Sequence, residues 1–155
     1  MTLTCVTLSG AGAGNYTVSQ PSGLTANITY GTSCGANPGD VILQPINADG
    51  TSVFPHAGRT VPVKFTVCDA NGNPISDPMV VFGNSTGSIE WINTVRGTVT
   101  QVDENGVYHI PDVAFRYTGG IWIFNMVTSN LQSPSTNTYR INLRSGSITF
   151  VIGIK

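Results

Sequence analysis

The stretch that most limits what this chain can become is Arg59 to Pro74, RTVPVKFTVCDANGNP. Val61, Val63, Phe65 and Val67 alternate with Pro62, Lys64, Thr66 and Cys68, the period-2 pattern of a strand with one face buried. Asp69-Ala-Asn-Gly-Asn-Pro74 then ends it with turn formers: Asp and Asn side chains bond nearby backbone, Gly72 tolerates positive φ, and Pro74 fixes φ and lacks a donor. A further extended segment has to follow, so the chain is organised around a strand and a tight reversal.

The same rhythm recurs on both sides of that stretch. Leu3 to Leu8 reads as a strand, and Asn15–Ser19 with Thr25–Tyr30 as a hairpin about Gln20-Pro-Ser-Gly23. Val41–Gln44 is a strand, and Met79–Phe82 is a short apolar run suited to a strand buried on both faces. Ile89–Asn93 and Gly97–Val102 flank a turn, and a strand carrying Val107 and His109 follows Asp103-Glu-Asn-Gly106. Val113–Tyr117 and Ile121–Thr128 bracket the compact loop Thr118-Gly-Gly120. Tyr139, Ile141 and Leu143 alternate with polar neighbours, and Ser145-Gly146 turns the chain into Ile148, Phe150, Ile152 and Ile154. No apolar series at i, i+3, i+4 and i+7 lasts three turns, so helix is excluded as a major element. Strands at intervals of about 8 to 12 residues predict an all-β, immunoglobulin-like antiparallel sandwich with short N-terminal strands. The Gly- and Pro-rich stretch 31–39 marks the expected boundary: residues 1–39 read as a remnant of a preceding repeat or linker, and residues 40–155 as the sandwich.

Composition narrows the function classes. At 155 residues the chain has enough core to fold unaided. Only 10% of its residues are charged, against roughly 25% in an average domain. A formal net charge of −1 with scattered Lys and Arg supplies no basic stripe, so nucleic acid is not an expected partner. No apolar run approaches the ~20 residues of a membrane span, and Met-Thr-Leu-Thr-Cys lacks the pattern of a signal peptide. An extracellular or cell-surface location therefore implies an export signal upstream. The three cysteines, Cys5, Cys34 and Cys68, allow at most one internal disulfide, with every pairing open, and their spacing is not that of a zinc site.

Three segments carry a family resemblance: VILQPINADGTSVFPHAGRTVPVKFTVCDANGNPISDP, FRYTGGIWIFNMVTSNL and TYRINLRSGSITFVIGIK. Over roughly residues 41 to 155 they resemble the PxKF domain of bacterial secreted and cell-surface multidomain proteins, with Pro62-Val-Lys-Phe65 as the namesake motif. After Leu131 the chain departs from the family in lacking the Gly that usually precedes the tyrosine. Upstream, SGAGAGNYTVSQPSGLTANIT is similar to the closing strands of YDG-type surface repeats. The resemblance implies a non-catalytic structural or adhesive module whose partners are neighbouring domains of its own polypeptide, surface glycans or copies of itself. The alternatives are a carbohydrate-binding module and a filament subunit assembled by strand complementation.

Candidate site residues fall into three groups. Asp69, Asn71 and Asn73, with Asp77 nearby, place oxygen ligands at alternate positions as a calcium loop does, but no bidentate Glu follows and no helices are expected to flank it. Asx-turn chemistry explains the same residues, and Asp103, Glu104 and Asn105, without a metal; no other cofactor is expected. Trp91 and Tyr117 are the candidates for a sugar-stacking platform, whereas Trp122 alternates with Phe124 and Met126 as a core residue does. Lys64, the one charge in the strongest strand, reads either as an outward lysine guarding an edge or as one end of an internal isopeptide to Asn125 or Asn142. His56 and His109 stand far apart with no nucleophile elbow, so no enzyme is expected.

Overall fold

The computed structural model describes residues 9–17, 29–56, 60–96 and 113–155. They form an all-β sandwich of two four-stranded sheets with a small two-stranded hairpin beside it. The hairpin pairs β1 (Ser33–Cys34) with β2 (Asn37–Pro38). One sheet has the order β3-β5-β8-β7, from β3 (Ile42–Leu43), β5 (Thr60–Phe65), β7 (Arg116–Thr118) and β8 (Ile121–Val127), all antiparallel. The other has the order β4-β10-β9-β6, from β4 (Val53–Phe54), β6 (Ile89–Arg96), β9 (Ser135–Leu143) and β10 (Gly146–Ile154). It is antiparallel except for the parallel contact of β4 with β10.

The inner face of the organising strand is the one its alternation predicts, but the other face is covered as well: Pro62, Thr66 and Cys68 are buried and Lys64 is partly buried. Val61, Val63 and Phe65 are fully buried, and their partners across β8 are Met126, Phe124 and Trp122. Residues directly opposite in a pair share a face, so these six side chains present one apolar surface to the second sheet. That sheet answers with Tyr139, Ile141, Ile148, Phe150 and Ile152. The core is rich in aromatic contacts: the Phe65 ring meets Phe82 and Phe115 edge-on at centroid distances of 6.1 and 5.4 Å. The loop between β7 and β8 is as short as expected, because Gly119 and Gly120 both take positive φ, at 57° and 85°, the conformation of a type I′ hairpin turn.

Several elements differ from the sequence expectation: β1, β2 and β4 have no counterpart in it, and the strand expected from Val113 begins only at Arg116. Met79–Phe82 is not a strand; Pro78–Val81 forms a single helical turn, α1. The Asp77 carboxylate accepts from the Met79 N–H at 2.9 Å, and Pro78 occupies the first turn, where its missing N–H costs nothing. A four-residue apolar run has no period of its own, so the cap decides its conformation. The turn expected after Asn93 is also absent, since β6 continues through Thr94 and Val95 to Arg96.

Residues 30–40 run against the continuation of β5. Gly31 N–H donates to Cys68 O at 2.9 Å, Asp40 N–H to Thr66 O at 2.8 Å, and Thr66 Oγ1 to Pro38 O at 2.7 Å. Cys34 and Cys68 form a disulfide with Cα atoms 5.5 Å apart, so the stretch in which the sequence suggests a boundary is bonded to the sandwich. The approach requires a glycine: a Cβ on Gly31 would lie 2.3 Å from Asp69 O. Leu3–Leu8, Cys5, most of Thr25–Tyr30, Gly97–Val102, Asp103, Glu104, Asn105 and His109 lie outside the described residues.

Candidate functional site: a tryptophan cleft at the sheet edge

Strand β6 lies at the edge of its sheet, paired with β9. Trp91 stands opposite Tyr139 and Asn93 opposite Thr138, leaving Ile92 as the extra residue of a β-bulge. In a regular strand, residues three apart point to opposite faces. Here the bulge restores them to one face, because Trp91 pairs with Tyr139 and Thr94 with Asn137, and those partners are two apart in β9. Bulges re-aim side chains in this way.

The result is a chain of hydrogen bonds. Trp91 Nε1 donates to Thr94 Oγ1 at 3.1 Å, and Thr94 Oγ1 donates to the Asn137 amide oxygen. Asn137 Nδ2 donates to Ser135 Oγ at 2.9 Å, and Ser135 Oγ donates to the Gln132 carbonyl. Asn137 and Ser135 are buried while Trp91 is 58% exposed, so a buried polar series holds an indole whose ring is largely open to solvent. The series ends on the β8–β9 connection, which is itself held by Leu131 N–H donating to Thr128 O at 3.1 Å and by Thr128 Oγ1 donating to Pro55 O at 3.3 Å. Between indole and connection lies a cleft of about 370 Å³, lined by Trp91, Thr94, Asn130, Leu131, Gln132 and Asn137. Across from Trp91 in the strand pair, the Tyr139 ring stacks on Phe150 at 5.4 Å, and burial pushes its phenol up to about 12.

Of the two aromatic candidates, only Trp91 belongs to this cleft. Tyr117 sits in β7, in the other sheet, and packs against the core with its ring 5.3 Å from Trp122. Trp122 is core, as its alternation predicts, at 3% exposure, with Nε1 donating to Ile75 O at 3.0 Å. Thr94, Asn130, Gln132 and Asn137 escaped the sequence reading, because a bulge and a loop crossing between sheets leave no local pattern.

The Asp69 loop is occupied by its own backbone. One Asp69 carboxylate oxygen accepts from the N–H groups of Asn71 and Asn73, both at 2.9 Å, and the other from Asn73 Nδ2 at 3.1 Å. Asp77 is committed to capping α1, and the described residues contain no group of three or more His, Cys, Asp or Glu that could hold a metal ion. The Asn73 backbone and side-chain donors, followed by the Asn71 N–H, hold the Asp69 carboxyl below its ordinary 3.8. Its stabilising effect is therefore present at neutral pH and lost as the pH falls below that value. Asp49, bonded by the Thr51 hydroxyl and N–H, behaves the same way, whereas burial raises the carboxyl of Asp40, which is relieved rather than weakened by acid. Asp69→Ala is expected to lower the melting temperature at pH 7, with the deficit shrinking towards pH 3, while Asp69→Asn, which retains an acceptor oxygen, loses less. Thermal melts across that range check this, and in the same assay millimolar calcium is expected to leave the melting temperature unchanged; a rise of several degrees would show a metal site at this loop.

Lys64 guards no edge, since β5 is flanked by β3 and β8 and Lys64 stands between Leu43 and Ile123. Asn142 lies on the outer face of the opposite sheet, where its amide donates to Glu90 at 3.4 Å, so the sandwich itself separates it from Lys64. Asn125 shares the Lys64 face, being opposite Pro62. With its amide oxygen turned to Arg116 it accepts from that guanidinium at 3.2 and 3.3 Å. The His56 backbone N–H donates to Lys155 O at 2.9 Å, which ties the end of β4 to the C-terminus.

No family model matches the chain, and no curated protein or solved structure is significantly similar to it, so its assignment rests on its own residues and geometry.

Proposed function

We propose that the chain is a non-catalytic structural and adhesive module of a bacterial secreted or cell-surface protein, an immunoglobulin-like sandwich set beside other domains of the same polypeptide. The observation that carries this reading is the Cys34–Cys68 disulfide, which closes residues 30–40 onto the continuation of β5. Structural disulfides persist in oxidising compartments and are rare where glutathione and thioredoxin keep thiols reduced. The low charged fraction of 10% and the resemblance to PxKF domains support the same habitat. The test is cell fractionation of the native host followed by mass spectrometry without reduction. The expected result is a Cys34–Cys68 cross-linked peptide in the surface or secreted fraction, and a cytosolic protein with both thiols free overturns the reading. The carbohydrate-binding alternative is favoured by one specific feature, the Trp91 cleft.

A further inference from the structure

We propose that the Trp91 cleft is a binding site for a neutral saccharide, with the indole as the stacking platform and the amide side chains of Asn130 and Gln132 as hydroxyl partners. The proposal rests on the adhesive part of the reading above and gives it a ligand class. Three observations converge on it. Trp91 is 58% exposed, yet its Nε1 is bonded to Thr94 and, through Asn137 and Ser135, to the Gln132 carbonyl. A solvent-facing indole held this way is pre-organised: the loss of rotamer freedom that binding would otherwise require has already occurred on folding. Its polar edge is also already satisfied, which leaves the ring face for the ligand.

The lining then selects the chemistry. The cleft of about 370 Å³ lies within the roughly 300–1,000 Å³ span of small-molecule sites. Its described lining residues include no charged side chain, which disfavours an ionic ligand, and the amide groups on the connection offer both donors and acceptors. A sugar ring matches that division, with an apolar C–H face for the indole and hydroxyls for the amides. A proline-rich peptide matches it less well, since such segments dock in grooves lined by several aromatics, and Trp91 is the sole aromatic among the described lining residues.

The test is calorimetric and fluorescence titration of the full chain with cellohexaose, xylohexaose and mannohexaose, and with a polygalacturonate fragment and a proline-rich peptide as contrasting probes. At least one neutral hexasaccharide is expected to bind with a dissociation constant on the order of 10 µM to 1 mM. Because the chain has two tryptophans and Trp122 is 3% exposed, a saccharide-dependent emission change reports Trp91. Trp91→Ala should weaken binding at least tenfold without lowering the melting temperature, Trp91→Phe should retain part of the affinity, and Thr94→Val should weaken it several-fold by freeing the indole. Absence of binding by all three hexasaccharides at millimolar concentration, binding unchanged in Trp91→Ala, or binding of the acidic or peptide probe alone each overturns the proposal. None of these results alters where the protein resides or whether Cys34 and Cys68 are joined, so failure here is separable from failure of the surface-module reading.

Discussion

Phe65→Ala is expected to destabilise the protein by about 4 kcal/mol, the usual scale for deleting a fully buried aromatic ring. Phe65 is fully buried, opposite Trp122 in the β5–β8 pair and edge-on to both Phe82 and Phe115. Those two rings stack on each other at 5.2 Å, and Phe82 also meets Trp122 at 5.0 Å. Removing the central ring therefore leaves several side chains facing a void that none can fill without giving up another contact. Because a domain is stable by only about 5–15 kcal/mol, such a loss brings the variant close to unfolding at ordinary temperature. Urea titration should show a lower midpoint with an unchanged slope. The control is Lys64→Ala, one residue away on the opposite face and only partly buried, which should shift stability by less than about 1 kcal/mol. Equal effects at the two positions would show that the face assignment of β5 is wrong.

Cys34→Ser is expected to cost about 4 kcal/mol. The disulfide closes a loop of sequence separation 34, for which the chain-entropy relation gives roughly that figure. Its loss also releases the anchor of β1 and β2, which otherwise hold to the sandwich through bonds such as Thr66 Oγ1 to Pro38 O. Cys68→Ser should match it, reduction of the parent protein should reproduce it, and Cys5→Ser should leave the disulfide intact. Deleting residues 1–39 removes Cys34 together with the Gly31 and Pro38 contacts, so it should lower stability at least as far. That deficit should be the same at every protein concentration, because the bonds are internal. A deletion that left the melting temperature unchanged, or one whose effect vanished at high concentration, would contradict internal pairing.

The turn at Asp69, a compact hairpin loop at Thr118-Gly-Gly120 and the final hairpin from Tyr139 to Ile154 can all be read from residues alone. So can the core-facing sides of β5 and β10, because period-2 alternation and turn chemistry are local: they record which face of a strand is apolar and where φ must be positive. Everything that joins distant segments escaped that reading. Three cysteines left every pairing open, and only the docking of residues 30–40 beside β5 brings Cys34 to Cys68. The parallel contact of Val53–Phe54 with Gly153–Ile154 has no local signature. The apolar run at Met79 reads as a strand from its residues, and the Asp77 cap makes it a helical turn instead; Lys64, Asn125 and Asn142 can be assigned to strands but not to sheets. The cleft shows the limit most clearly. Trp91 was visible as an aromatic near a break, but the bulge at Ile92 aligns it with Thr94, and the crossing from β8 to β9 supplies Asn130, Gln132 and Asn137. Local composition encodes the faces of the strands, while the pairing of those faces depends on contacts between residues tens of positions apart, and those exist only once the two sheets have closed on one core.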